Sequence, residues 1–226
     1  MRRSTTTAFG LSAVCTVLAL TGCAGYAESA GASSPTHGGG STPTAPVPLS
    51  STQLNQRLLN GSDLGEGYTR RPEAARRNDD VTVIGCSAPE KLGGDTATGS
   101  GLDFARKAKV SFTYSSSSEV SEELYSDSPA KLSTGISKVF DAMLSCPSYQ
   151  IASGSTVVDM RTEKSVAPDL GDEQWSQLLT FSASGQRSVV KQTAIRTGNI
   201  LVTVSGSPGL VDTHLDKAFA KARTAR

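Results

Sequence analysis

The chain is 226 residues long and nearly neutral, with 22 basic against 21 acidic side chains and a formal net charge of +1. No long basic stripe runs through it, so a nucleic-acid partner lacks the electrostatic footprint it would need. The histidines His37 and His214 and the cysteines show no metal-ligand spacing, and no G-x-S-x-G elbow occurs. These features point to no catalytic residue, no metal and no other cofactor.

The first residues divide like a secretory signal. Arg2 and Arg3 are followed by an apolar stretch from Ala8 to Leu20, and then by Leu20-Thr21-Gly22-Cys23. An apolar run of roughly a dozen residues is too short to cross a hydrocarbon core of about 30 Å as a helix, so it reads as a signal h-region. The segment ending in Cys23 resembles a bacterial lipobox. That resemblance implies cleavage after residue 22, a diacylglyceryl Cys23 and attachment to the outer face of the cell membrane. Two acyl chains hold firmly, since each buried methylene contributes about 0.8 kcal/mol. Cleavage takes two of the basic side chains, Arg2 and Arg3, and leaves the mature chain close to neutral. Residues 23–50, with Gly38-Gly39-Gly40, Pro35, Pro43, Pro46 and Pro48, read as a linker that holds a domain away from the lipid. His37 within it is expected to be exposed filler.

Residues 51–226 are the size of one domain. Ser50 and Ser51 offer N-cap hydroxyls to a helix with Leu54, Leu58 and Leu59 on one face, ended by Asn60-Gly61. A loop over 63–68 follows, and Arg70, Arg71, Arg76 and Arg77, offset by Glu73, Asp79 and Asp80, read as a solvated loop. Val81 to Ile84 is a short buried strand leading to Cys86, and 90–101 a glycine-rich loop. Residues 104–114 alternate, with Phe104, Ala108, Val110, Phe112 and Tyr114 on one parity, which predicts a half-buried antiparallel strand. Val120 to Tyr125 is a weaker strand candidate. Ser128 and Pro129 open a helix over 129–145, whose Leu132, Ile136, Val139, Phe140, Met143 and Leu144 form one apolar stripe. Strands are predicted at 156–163, 175–183, 188–196 and 200–205, the last two joined by a tight turn at Gly198-Asn199. A final helix over 209–223 buries Val211, Leu215, Phe219 and Ala222, with His214 at its surface or boundary. Together these elements predict an α+β domain, an antiparallel sheet with helices packed against it.

Cys86 and Cys146 are the only cysteines after residue 50. In an exported domain they are expected to form a disulfide. Asp169, Asp172 and Glu173 surround Gly171 just before Trp175, the single tryptophan. Acids beside a tryptophan suit sugar stacking, so Asp169, Asp172 and Trp175 are the candidate ligand-binding residues. The structural alternative is a polar turn entering a strand whose Trp175, Leu179 and Phe181 face the core.

Leu58-Leu59 with Asp63-Leu64 and Gly67-Tyr68, Cys86, the helix running into Cys146, Leu170-Gly171-Asp172 and the run Arg196 to Val202 form one set. Together they resemble the extracellular sensor domain of mycobacterial serine/threonine kinase H and the actinobacterial lipoproteins that share it. The resemblance spans nearly the whole domain. It implies an α+β fold with a cleft beside the sheet and a non-catalytic sensing or binding role at the cell envelope. The resemblance implies a second disulfide in the kinase sensor domains, whereas this domain has only two cysteines. The partner is then the membrane through the lipid, together with a small molecule, a glycan or an envelope protein. A protein-docking module is the alternative, and a glycan-active enzyme built on paired carboxylates ranks third. An enclosed cavity of about 300 Å³ or more would favour a small ligand, and a shallow surface with one large exposed apolar patch would favour docking.

Overall fold

The computed structural model describes residues 47–73, 81–93, 96, 102–115 and 117–224. The expected signal, Cys23, His37, Arg76, Arg77, Asp79 and Asp80 lie outside them. Helices α1 (Ser51–Asn55) and α2 (Gly61–Leu64) precede strands β1 (Tyr68–Arg71) and β2 (Val81–Ile84). After α3 (Ser87–Glu90) come β3 (Lys107–Tyr114), β4 (Ser118–Ser126) and α4 (Pro129–Leu144). The chain closes with β5 (Ser148–Ser153), β6 (Thr156–Lys164), β7 (Glu173–Ala183), β8 (Gln186–Thr197), β9 (Ile200–Gly206) and α5 (Pro208–Arg223). Among the described residues the strands make one nine-stranded sheet in the order β1-β3-β4-β9-β8-β7-β6-β5-β2, and every pairing is antiparallel.

The two faces of the sheet are covered by different helices, and the two coverings overlap on β4, β9 and β8. On one face, Leu54, Leu58, Leu59 and Leu64 join Val211, Leu215 and Phe219 of α5 over Val110, Phe112, Val120, Leu124, Val202 and Val204. On the other, Leu132, Ile136, Phe140 and Met143 of α4 pack on Tyr125, Leu179, Ala194 and Leu201. Each such side chain contributes roughly 1.5–3 kcal/mol on burial, and these two clusters hold the domain. A smaller cluster of Val83, Tyr149, Ile151 and Met160 sits at the β2 end, around Cys86 and Cys146. Those two cysteines form the expected disulfide, with Cα atoms 6.1 Å apart.

Several expectations are corrected. The first helix stops at Asn55, and Leu58 and Leu59 are buried from the turn that follows. Tyr68 to Arg71 is an edge strand rather than a loop, so Arg70 and Arg71 alternate across the sheet. The segment Val81–Ile84 is the opposite edge, with only Val83 buried and Ile84 exposed. Ser148–Ser153 is a strand for which the sequence carried little signal, since Tyr149 and Ile151 are its only large apolar residues. The weak candidate around 120–125 is borne out as β4, an interior strand buried on both faces. Ordered structure also begins before residue 51: the Leu49 N–H donates to Ser126 Oγ (2.8 Å), and Asn199 Nδ2 donates to the Val47 carbonyl (2.6 Å).

Candidate functional site

The loop before Trp175 closes on its own neighbours. The Asp172 carboxylate accepts from the Gly198 N–H at 2.7 Å and from Arg196 Nη1 at 3.0 Å. Glu173 accepts from Arg196 Nε (2.6 Å) and from the Ser133 hydroxyl (3.1 Å). The Arg196 guanidinium holds the Glu173 carboxyl below its ordinary pKa, against the smaller opposing effect of burial. The Asp172 N–H donates to the Arg196 carbonyl (2.7 Å), which leaves no room for a side chain at Gly171. Asp169 is exposed and receives only a long contact from Gln174 Nε2 (3.4 Å). Trp175 lies opposite Ala194 and packs, with Phe181, on the cluster under α4. Asp172 thus fastens the β8–β9 turn, and Trp175 is partly buried on the core.

Gly171 tests this lock. Its φ is +71°, and an added Cβ would lie 2.5 Å from the Arg196 carbonyl oxygen and 2.7 Å from Ile195 Cγ2. Gly171→Ala is expected to cost roughly 2–3 kcal/mol, from left-handed strain plus the displaced backbone contact. Thermal unfolding of the variant checks this.

A cavity of about 300 Å³ opens instead between the α1–α2 turn, β1, β3 and the end of α5. Local capping builds its roof. Ser50 and Gln53 form a capping box at α1, and Asn60 and Asp63 form a second at α2, so the chain turns sharply twice within fifteen residues. Lys217 Nζ donates to the Asp63 carbonyl (2.7 Å) and Lys221 pairs with the Asp63 carboxylate, which ties α2 to α5. Asp63 is held below its ordinary pKa because those contacts together outweigh burial, the largest single effect. Leu58, Leu59, Val110 and Phe112 line the cavity with apolar surface, while Asn55, Gln56, Arg70 and Lys221 bring polar groups to it. None of Asp169, Asp172 and Trp175 lines it.

Two buried titratable groups adjoin this cavity. Glu122 stands between Val120 and Leu124 on the inward face of β4, opposite Val110, and is 1% exposed. Its Oε2 accepts from the Leu59 N–H at 2.6 Å, and its Oε1 has no hydrogen-bond partner among the described residues. Burial raises its pKa to about 8, against the Leu59 hydrogen bond, so the carboxyl is protonated at neutral pH. The second is His214. Expected at a helix surface or boundary, it is buried instead, with Tyr68 OH 2.6 Å from its Nε2 and the Tyr68 ring edge-on at 5.1 Å. Burial lowers the His214 pKa, with Lys217 adding to the effect, and burial raises that of Tyr68. Tyr68 also stacks on Tyr114, with ring centroids 4.7 Å apart.

Glu122 was legible in principle. On a strand with Val120 and Leu124 inward, strict alternation places residue 122 inward as well. Tyr68 and Arg70 carried no such signal, because a four-residue edge strand has no period to read. The cavity offers shape, apolar surface and charge, and it brings no nucleophile–base pair together. Among the described residues no group of three or more His, Cys, Asp or Glu side chains is placed to hold a metal, and no helix is long and apolar enough to cross a membrane.

No protein-family model and no curated protein sequence matches the chain. Among solved structures it is similar to the extracellular domain of PknH from Mycobacterium tuberculosis. That match has a TM-score of 0.58 at 12% identity, over 78% of this chain and 97% of that one. An uncharacterized Mycobacterium smegmatis protein, the Rv0999 ortholog, gives 0.40 at 10% identity, over 72% of this chain and 93% of that one. The resemblance expected from the segments between Leu58 and Val202 holds at the level of architecture: the folded domain of this chain shares the fold of the PknH extracellular domain.

Proposed function

We propose that this protein is a lipid-anchored extracytoplasmic lipoprotein whose folded domain is a sensor-like module that binds a small ligand and catalyses no reaction. The observation that carries the binding role is the cavity of about 300 Å³, with an apolar lining beside polar and charged groups. That size is at the lower end of ordinary small-molecule sites. The fold shared with a kinase extracellular domain and a disulfide suited to an oxidising compartment support the location. Arg2, Arg3, the Ala8–Leu20 stretch and Cys23 support export and the lipid. Asp169 and Asp172 are exposed and Trp175 is half-buried, so this loop stays open to a second, carbohydrate-type contact, in which a sugar would share the Asp172 carboxylate with Arg196.

Native mass spectrometry of the full chain purified from its own host tests the binding role. The expected result is a retained small molecule, lost on unfolding. A retained protein instead would establish the docking alternative, which is favoured by the exposed Ile84 (45%) and Val157 (49%) near the β2 end of the sheet. Anchoring is tested separately. Cys23→Ala is expected to leave an unprocessed precursor without diacylglycerol, whereas the wild-type protein partitions into detergent. A wild-type N-terminal peptide with no lipid mass would end the lipoprotein reading.

A further inference from the structure

The charge around the cavity is unbalanced. Lys221 is matched by Asp63, but Arg70, which lines the cavity from β1, has no ion-pair partner among the described residues. Its neighbour Arg71 alternates to the other face of the sheet and pairs with Glu119. Glu122, buried beneath this region, is protonated at neutral pH and adds no negative charge. Apolar lining comes from the buried residues Leu58, Val110 and Phe112, whereas Arg70 is exposed. The site therefore has an apolar floor, a polar wall of Asn55, Gln56 and Asn60, and a cationic rim.

Resting on the ligand-binding reading above, we infer that this cavity takes a small amphiphilic carboxylate, with its apolar body against Leu58, Val110 and Phe112 and its carboxylate on Arg70. A guanidinium presents a planar fork of N–H donors that matches a carboxylate, and such charge-assisted bonds are stronger than neutral ones. A ligand with no anionic group would leave Arg70 unmatched. A wholly polar anion would leave the apolar floor wet.

The test uses the full chain in lipid nanodiscs, with empty nanodiscs as the partition blank, titrated with 4-phenylbutyrate and with its neutral isostere 4-phenylbutyramide. Calorimetry gives affinities, and NMR of the Tyr and Phe rings locates the contact. The expected result is binding of the carboxylate about tenfold or more tighter than the amide, the size of one charge-assisted hydrogen bond. Arg70→Gln should abolish that preference, and Arg71→Gln, on the opposite face, should leave it intact. Both positions are exposed on an edge strand, so neither variant threatens the fold. Equal binding of acid and amide, or a preference that survives Arg70→Gln, would overturn the carboxylate assignment while leaving a ligand site standing. No binding of either probe, alongside a neutral or cationic molecule retained in native mass spectrometry, would overturn the assignment alone. No binding and no retained molecule would overturn both readings.

Discussion

Reducing the Cys86–Cys146 bridge is expected to lower the melting temperature of the domain by roughly 8–15 °C. The bridge closes a loop with a sequence separation of 60. The chain-entropy treatment gives about 4 kcal/mol for a loop of that length, and a domain of this size shifts by roughly 2–4 °C per kcal/mol. The native-state geometry adds a local consequence. Strand β2 is an edge that pairs only with β5, and its cluster around Val83, Tyr149, Ile151 and Met160 is the smallest of the three. Cys86 opens α3 directly after that edge, and Cys146 follows the end of α4, so the bridge joins the edge to the helix covering the adjacent sheet. Cys86→Ala/Cys146→Ala should therefore lose amide protection first over 81–90, before α5 exchanges. Calorimetry with and without reductant, and hydrogen exchange of the double variant, check both parts. A shift under about 3 °C would show that the bridge does not constrain the chain. Thiol titration of the denatured, unreduced mature protein should find neither cysteine free.

Glu122→Gln is expected to stabilise the protein at alkaline pH and to flatten its stability profile between about pH 4.5 and pH 8. The folded-state pKa of Glu122 is raised from 4.5 to about 8, chiefly by burial. A raised value means that the folded state holds its proton while the unfolded chain has released it. Stability attached to that proton is complete below the unfolded value of 4.5 and is lost as the pH rises through about 8. A difference of this size corresponds to on the order of 5 kcal/mol across the window. Glutamine keeps an acceptor for the Leu59 N–H and carries no charge to desolvate. At pH 4.5 the variant and the wild type should be nearly equal, and at pH 8.5 the variant should be more stable by several kcal/mol. His214 works in the opposite direction. Its lowered pKa favours the neutral ring in the folded state, so its contribution is lost as the pH falls below the ordinary value of 6.5. Denaturant unfolding of both proteins at pH 4.5, 6.5 and 8.5 measures the difference. A constant gap across that range would show that Glu122 ionises normally in the fold.

Several features of the fold are decided by the sequence itself. The stripe from Leu132 to Met143 specifies α4, with Pro129 opening it, and all of Leu132, Ile136, Val139, Phe140 and Met143 are buried. The alternation through Ala108, Val110 and Phe112 specifies β3, and Gly198, with φ +54°, specifies the β8–β9 turn. The disulfide followed from counting two cysteines in a domain whose first residues read as an export signal. In each case the signal is local: a helix or strand with one covered face repeats its apolar residues at 3.6 or 2.0.

Tertiary structure alone decided the rest. Strand β4 looks weak in sequence because it is covered on both faces: Val120, Glu122 and Leu124 are buried on one and Glu123 and Tyr125 on the other, so no exposed polar face marks it as a strand. His214 looks like a boundary residue until Tyr68, nearly 150 positions earlier, meets its ring. Asp172 reads in sequence only as an acid beside a tryptophan, and it is the β8–β9 hairpin that brings Arg196 and the Gly198 N–H to its carboxylate. The cavity joins Leu58, Arg70, Phe112 and Lys221 from elements far apart in the chain. Periodicity states which side of an element is apolar. It does not state which distant element will cover that side, and burial, pairing and protonation at this site depend on that covering.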